Sequence, residues 1–200
     1  LTEGFHSNIH LALVHFPVYN KSGEVVVSSV TTLDVHDSSR ICRTYGIGAL
    51  YVVTPLKTQQ ELVDRMISHW KTGYGAAYNP TRKEALLKTQ VINSLQDVVQ
   101  DIAERSGKKP RIIVTHAKKL PQNIGYGEMR KEIQKEEQYL LVFGTGWGLE
   151  GNIIRNADFA LSPVEGPEAY NHLPVRAAIA IILDRLLGIR DRRVVPQSQT

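Results

Sequence analysis

The residues with the clearest chemical potential lie in "LVFGTGWGL", Leu141–Leu149, where an apolar run stops at Gly144, Gly146 and Gly148. Glycines at the carboxyl end of a strand let the chain take positive φ angles and let backbone amides approach a ligand with no side chain in the way. A tight strand-to-helix turn would use the same residues, so the motif alone leaves both readings open. The spacing does exclude two nucleotide sites. A dinucleotide fold needs G-x-G-x-x-G after the first strand with an acid roughly 20 positions on, and a P-loop needs Lys-Ser/Thr after its glycines. Here the glycines follow the last long strand as G-x-G-x-G, with no such lysine.

Other groups could bind or move protons. Arg40 and Arg43 stand at i and i+3, which turns both to roughly one helix face and suits a phosphate or a ribose; a solvated face paired to Asp37 fits as well. A guanidinium stays protonated in ordinary surroundings, so Arg40 would orient a target rather than act as a base. His116, after "IIVT", and His172, at the expected start of the final helix, could each take a proton near neutral pH. "GYGAAYNPTRKE" offers Tyr74, Tyr78, Asn79 and Arg82, a mix able to stack on a base and meet a phosphate from a long loop. Trp70 ends an amphipathic helix and reads as core or interface, whereas Trp147 sits inside the glycine motif.

The elements that must position these groups alternate along the chain. "HLALVHFPV" (10–18) is a nearly continuous apolar run ended by proline, the pattern of a strand buried on both faces. "VVVSSV" reads as a second short strand or edge piece. "TTLDVHDSSRICRTYG" reads as a helix with Asp34 or Asp37 as its cap and Gly46 as its stop. Strands are expected in "ALYVV", "TQVINSL", "PRIIVTHA", "YLLVF" and "ADFAL". Helices are expected in "TPLKTQQELVDRMISHWKTG", "QDVVQDIAERSG", the charged and exposed "GYGEMRKEIQKEEQ", and "YNHLPVRAAIAIILDRLL" with its stripe Ile179, Ile182, Leu183 and Leu186. Strand and helix alternate at least four times, which predicts an α/β fold with a parallel sheet covered by helices on both faces.

Two hundred residues with 42% hydrophobic content suit one core, expected over residues 1–192 with a polar tail at 193–200. The lone cysteine, Cys42, rules out an internal disulfide or a cysteine-rich zinc site. No run approaches the roughly 20 apolar residues of a membrane span, and the first ten residues lack the pattern of a signal peptide, so a soluble cytoplasmic protein is expected. A formal charge of +4 is a mild bias toward polyanions. "GKKPR", "HAKKL" and "IRDRR" could follow a nucleic-acid backbone or decorate a solvated surface.

"LVFGTGWGL", "ADFALSPVEG" and "NHLPVRAAIAIILDR" together, in this order and spacing, resemble the SPOUT superfamily of S-adenosylmethionine-dependent RNA methyltransferases. The resemblance runs from "HLALVHF" to "ILDRLLG". It implies that three C-terminal loops are threaded as a trefoil knot, an exception to the rule against knots, which binds S-adenosylmethionine without a metal. Cofactor contacts are then expected from Gly144, Thr145, Gly146, Trp147, Gly148 and Leu149, from Leu161, Ser162, Pro163, Glu165 and Gly166, and from Asn171, His172 and Leu173. The resemblance also matches Arg40, six residues before Gly46, to an arginine that acts at the target nucleotide in ribose 2′-O methylating members. Arg40 and His172 are therefore the expected catalytic residues, with Arg40, Arg43 and Arg82 contacting RNA.

This chain has Asp34 where those members have asparagine. Its first knot loop is one residue shorter, lacks the usual glutamate and has Gly146 in that region, and its final helix has Pro174 and Arg176 where asparagine and serine are frequent. The expected partners are a structured RNA, tRNA or rRNA, and a second copy of the chain. The likeness is greatest to a bacterial family sometimes fused behind tRNA (guanine-N1) methyltransferase. A non-catalytic cofactor- or RNA-binding half of such an enzyme is the alternative.

Overall fold

The computed structural model describes residues 8–168 and 170–189. The expected boundary at 192, the tail at 193–200 and most of "IRDRR" lie outside the described residues. Seven strands form one sheet in the order β5-β4-β1-β8-β6-β9-β7. They are β1 (Ile9–Val14), β4 (Leu50–Val53), β5 (Thr89–Ile92), β6 (Arg111–Val114), β7 (Asn123–Ile124), β8 (Tyr139–Gly144) and β9 (Phe159–Leu161). Every pairing in this sheet is parallel. "VVVSSV" contributes to a small antiparallel pair, β2 (Val18–Tyr19) with β3 (Val25–Val26), set apart from the main sheet.

The period of two in the central strands sorts their side chains between two cores. Leu11, Leu13, Leu141 and Phe143 face one cluster, in which α8 (Val175–Leu187) contributes Ile179, Ile182, Leu183 and Leu186 and α6 (Tyr126–Glu132) contributes Met129. Ala12, Val14, Leu140 and Val142 face the other, with Val98, Val99 and Ile102 of α5 (Leu95–Ser106) and the half-buried Ile153 and Ile154 of α7 (Gly151–Arg155). Both faces are covered, which is why β1 is buried at all six positions. A third cluster holds α1 (Thr32–Thr44) to α2 (Lys57–Lys71) through Val35, Val63, Ile67 and Leu86.

The order of strands sets the place of the site. From β1 the chain moves through β4 to β5 on one side, whereas from β8 it moves past β6 to β9 on the other. The connections diverge beyond the carboxyl ends of β1 and β8, where Val14 is paired with Gly144. Such a switch point is where open α/β sheets hold ligands.

Local chemistry overrules several sequence expectations. The cap of α1 is Thr31, not Asp34 or Asp37: its hydroxyl accepts the Asp34 N–H, and the Asp34 carboxylate returns to the Thr31 backbone as a capping box. The expected long loop folds as two short helices, α3 (Tyr74–Tyr78) and α4 (Pro80–Leu86), because Asn79 caps the second with Pro80 in its first turn. The last helix starts at Val175, since Pro174 holds Leu173 away from the helical region. Asn171 and His172 therefore lie in the loop before it. The charged helix is seven residues long and buries Met129. Strand β7 and helix α7 have too few residues to show a period.

Candidate active site

The glycine motif forms a closed loop braced from below by the segment after β1. Thr145 N–H donates to Val14 O, Trp147 N–H to Tyr19 O, Gly148 N–H to Thr145 O and Glu150 N–H to Pro17 O. Gly151 N–H donates to the Tyr19 hydroxyl at 3.1 Å. The amides of Thr145, Trp147 and Gly148 are thus committed within the protein. Three glycines are required: Gly146 has φ +57 with a Cβ that would stand 3.0 Å from Tyr19 O, Gly148 has φ +110, and a Cβ on Gly144 would stand 2.8 Å from the Leu149 backbone nitrogen. Leu149 is buried in the second core cluster, so only its backbone can face a ligand, and Trp147 points to solvent at 60% exposure.

Two further loops meet this one at the carboxyl edge. The segment after β6 places His116 Nε2 3.9 Å from the position a Gly148 Cβ would take. The segment from Ser162 to Pro174 crosses it: Asn171 Nδ2 donates to Ala117 O at 2.7 Å, and Lys119 pairs with Glu165 at 3.1 Å. Leu161 and Pro163 are buried, while Glu165, Gly166, His172 and Leu173 are exposed. Among the described residues, the backbone groups of Pro163–Glu168 and Tyr170–Leu173 enter no backbone hydrogen bond. Within that set, the C=O groups and the N–H groups of the non-proline residues are open to a ligand or water. His116 Nδ1 accepts the Lys118 N–H at 2.9 Å, and His172 rests edge-on against Tyr170 with ring centres 5.3 Å apart.

A third set of groups was invisible as a set in the sequence. The Thr145 hydroxyl donates to Val14 O and contacts the Ser28 hydroxyl, which in turn lies 3.1 Å from His15 Nδ1. His15 is fully buried and its Nε2 has no partner among the described residues. Burial holds this imidazole below its ordinary pKa, against the opposing pull of the Asp34 charge. Asp34 lies 3.5 Å from Arg176 Nε, and Arg176 Nη1 also holds Asp37 at 2.5 Å. The two positions that depart from the SPOUT pattern, Asp34 and Arg176, are therefore paired with each other across α1 and α8. Only a three-dimensional neighbourhood could reveal that.

Arg40 stands one turn beyond Asp37 and lines a groove of about 590 Å³ between α1 and α8, with Asp37, Thr44, Tyr45, Pro174 and Arg176. It is exposed and has no ion-pair partner among the described residues. The groove is not the three-loop site but adjoins it, because Pro174 and Arg176 continue directly from the last loop. Arg43 does not share the groove: it turns to Glu84 of α4, with which it forms an exposed ion pair. Arg82 lies over the Trp70 ring, 4.5 Å from its centre.

Comparison with known proteins decides the family. Residues 8–188 match the model of a family described as SAM-dependent RNA methyltransferase. The chain belongs to this family. An uncharacterized protein of Aquifex aeolicus is 38% identical over 92% of this chain and 90% of its own length. A tRNA (guanine-N(1)-)-methyltransferase of Nitratidesulfovibrio vulgaris is 42% identical over 90% of this chain but only 42% of its own length, so the chain spans less than half of that relative. Among solved structures, the TrmH/SpoU tRNA modifying enzyme of Aquifex aeolicus superposes with a TM-score of 0.55 at 14% identity, covering 93% of this chain and 77% of that one. The SPOUT resemblance holds for the α/β fold with its parallel seven-stranded sheet.

S-adenosylmethionine is the cofactor of this methyltransferase family. The residues present fit it: the Gly144–Gly148 loop has its shape fixed by glycines, and Asn171 of the last loop reaches Ala117, next to the His116 that lies by Gly148, on a segment whose described backbone enters no backbone hydrogen bond among the described residues. Because the amides of Thr145, Trp147 and Gly148 and the carbonyls of Thr145 and Gly148 are engaged, the loop would offer the Gly146 and Trp147 carbonyls and its outer surface, and the last loop those amides that enter no backbone hydrogen bond among the described residues.

Proposed function

We propose that residues 1–192 form one methyltransferase domain whose last three loops are threaded as a trefoil knot around S-adenosylmethionine. In this reading two copies act as a homodimer in the cytoplasm and methylate a structured RNA, tRNA or rRNA, at a ribose 2′-oxygen in preference to a base nitrogen. The observation that carries it is the pairing of the two positions where this chain departs from the SPOUT pattern, Asp34 and Arg176, at the groove lined by Arg40 and directly after the last loop, while Ser28 and His15 brace Thr145 of the glycine loop. The last loop thus runs through Pro174 straight into the groove of the target-orienting arginine. No described helix is long and apolar enough to cross a membrane.

S-adenosylmethionine supplies a methyl group on a positively charged sulfur, which the acceptor displaces with loss of a proton. The protein must hold the acceptor in line and take that proton. Asp34 and Asp37 neutralise Arg176, which leaves Arg40 unpaired and able to grip a phosphate or ribose of the target. His172, in the loop beside the glycine motif, accepts the proton. Arg43 contacts RNA only after release from Glu84.

The test is transfer of label from methyl-tritiated S-adenosylmethionine to total tRNA and rRNA, followed by alkaline hydrolysis. Label in alkali-resistant dinucleotides is expected, because a 2′-O-methyl group blocks strand cleavage. Label in mononucleotides would move the reaction to a base, and no transfer to either RNA would remove the activity from this chain. The span of the longer relatives favours a second reading, a non-catalytic half of a fused tRNA-modifying enzyme. That reading predicts cofactor binding without transfer by the chain alone, and no effect of Arg40→Ala on modification.

A further inference from the structure

The surface formed by α1, α2, α3 and α4 lies outside the three-loop site and carries aromatic groups that folding does not require to be where they are. Tyr74 and Tyr78, one turn apart on α3, stack with ring centres 6.0 Å apart and planes 20° from parallel. They are 79% and 74% exposed, so their faces contribute little to any core. The helix that bears them is held firmly, not loosely. A Cβ on Gly75 would fall 2.7 Å from the Trp70 ring and 2.8 Å from His69 Nε2, so this turn seats its bare backbone directly on α2. The next helix is tied down by the Asn79 cap and by Glu84 reaching Arg43.

Beside the tyrosines the surface is cationic. Trp70 carries the Arg82 guanidinium on one face, 4.5 Å from the ring centre, and His36 edge-on at 5.6 Å. Neither Arg82 nor Arg40 has a carboxylate partner among the described residues, although nearby Arg43 has one and Arg176 two. Arg82 and His36 share the Trp70 ring, and Arg40 follows His36 by one turn of α1, with Asp37 beside them held by Arg176. His36 Nδ1 is itself buried without a partner among the described residues. Two guanidiniums without ion-pair partners among the described residues, continued by two exposed stacked rings, have the complement of a phosphodiester strand whose bases are free to stack.

We infer that this surface binds an unpaired segment of the RNA beside the target nucleotide, with phosphates at Arg40 and Arg82 and a base stacked on the Tyr74–Tyr78 pair. The inference rests on the methyltransferase reading for its choice of RNA and deepens it: the target lies in a loop or a single-stranded end rather than inside a duplex. A base inside an A-form helix has no free face for tyrosine, and its major groove is too narrow for side chains to read.

The probes are a fluorescent ten-residue oligouridylate and a blunt RNA duplex of the same length, titrated by anisotropy against wild type, Tyr74→Ala/Tyr78→Ala, Tyr74→Phe/Tyr78→Phe and Arg82→Gln. S-adenosylmethionine binding is measured on each protein in parallel. Wild type is expected to prefer the single strand. The double alanine variant loses about tenfold in affinity for it, as removal of one base–aromatic stack does; the phenylalanine variant retains affinity, and cofactor binding is unchanged in both. Equal affinity of wild type and the alanine variant for the single strand, no binding of it by wild type, or a preference for duplex would overturn the inference. So would a shift of the alanine variant to a smaller assembly in sedimentation, which would mark the surface as a contact between copies. Failure of all proteins to bind S-adenosylmethionine would instead strike the methyltransferase reading, and the oligonucleotide series would still decide the platform.

Discussion

The two ends of the same parallel sheet are built on opposite terms. At the amino ends of the strands, charge meets charge. Arg111 pairs with Glu132 at 2.9 Å and Asp158 at 3.7 Å and lies over the Phe159 ring, while Asp158 also accepts the Ile112 N–H at 2.7 Å. Tyr139 donates to the Glu132 backbone oxygen, and burial together with the Glu132 charge pushes its hydroxyl up to about 12. Lys135, then Arg111, hold the Glu132 carboxyl below its usual range. At the carboxyl ends, His15 Nε2 has no partner among the described residues, and the backbone of Pro163–Glu168 and Tyr170–Leu173 enters no backbone hydrogen bond among them; in the adjoining groove Arg40 has no ion-pair partner among them. A fold gains nothing from polar groups left in that state. Ion pairs close much of one end, although His10 Nδ1 there is buried without a partner among the described residues, and the other end leaves more of its polar groups for a ligand to complete.

Four perturbations would break or sharpen that contrast. The largest effect is expected from Gly144→Val, whose Cβ would press on the Leu149 backbone rather than on a flexible side chain. Loop displacement worth about 3 kcal/mol lowers S-adenosylmethionine affinity about 100-fold in equilibrium dialysis. The matched change at the other end of a helix, Gly107→Ala, meets nothing within 4 Å and leaves that affinity unchanged. Arg40→Gln comes next: loss of one charge-assisted contact, about 2 kcal/mol, slows RNA methylation about 30-fold with cofactor affinity unaltered. A fall in cofactor affinity of the same size would place Arg40 in the wrong site.

The pH dependence distinguishes the ends more gently. Burial depresses His15, and also His10 and His36, below 6.5, so the native protein keeps them neutral while the unfolded chain protonates. Their contribution to stability is full above 6.5 and is lost as pH falls through the depressed values. The thermal midpoint therefore declines below about pH 6.5, and cofactor binding declines with it, since His15 braces Thr145 through Ser28. An unchanged cofactor affinity at acid pH would separate His15 from the loop. The smallest effect is that of Arg111→Gln, which lowers stability by about 1 kcal/mol in urea unfolding and leaves methylation and cofactor affinity as they were.

What was legible in the sequence follows from how local each signal is. The buried runs around Leu11, Val52 and Leu141 report a two-sided parallel sheet directly, and Ile179, Ile182, Leu183 and Leu186 report the buried stripe of α8. The glycine loop was legible because Gly144, Gly146 and Gly148 are a local demand of the backbone. The cap at Thr31 was missed because Asp34 is equally good at either end of the same capping box. The ordered turn at Tyr74–Tyr78 was missed because its anchor, Gly75 against Trp70, is the absence of a side chain. The His15–Ser28–Thr145 series joins residues up to 131 positions apart, as the Thr145 to Val14 bond shows. Asp34 and Arg176 were visible singly as departures from a pattern, and only the packing of α1 on α8 turns them into a pair.

The most direct test of the central claim, that the open end of the sheet is a cofactor site, is calorimetric titration of the purified chain with S-adenosylmethionine and its demethylated product. The comparison is with Gly146→Val, in which a side chain would enter a left-handed position 3.0 Å from Tyr19 O. The account predicts saturable one-site binding of both compounds by wild type, lost in the variant while the sheet still unfolds cooperatively. Equal binding by Gly146→Val, or none by wild type, would contradict it and return "LVFGTGWGL" to a turn between a strand and a helix.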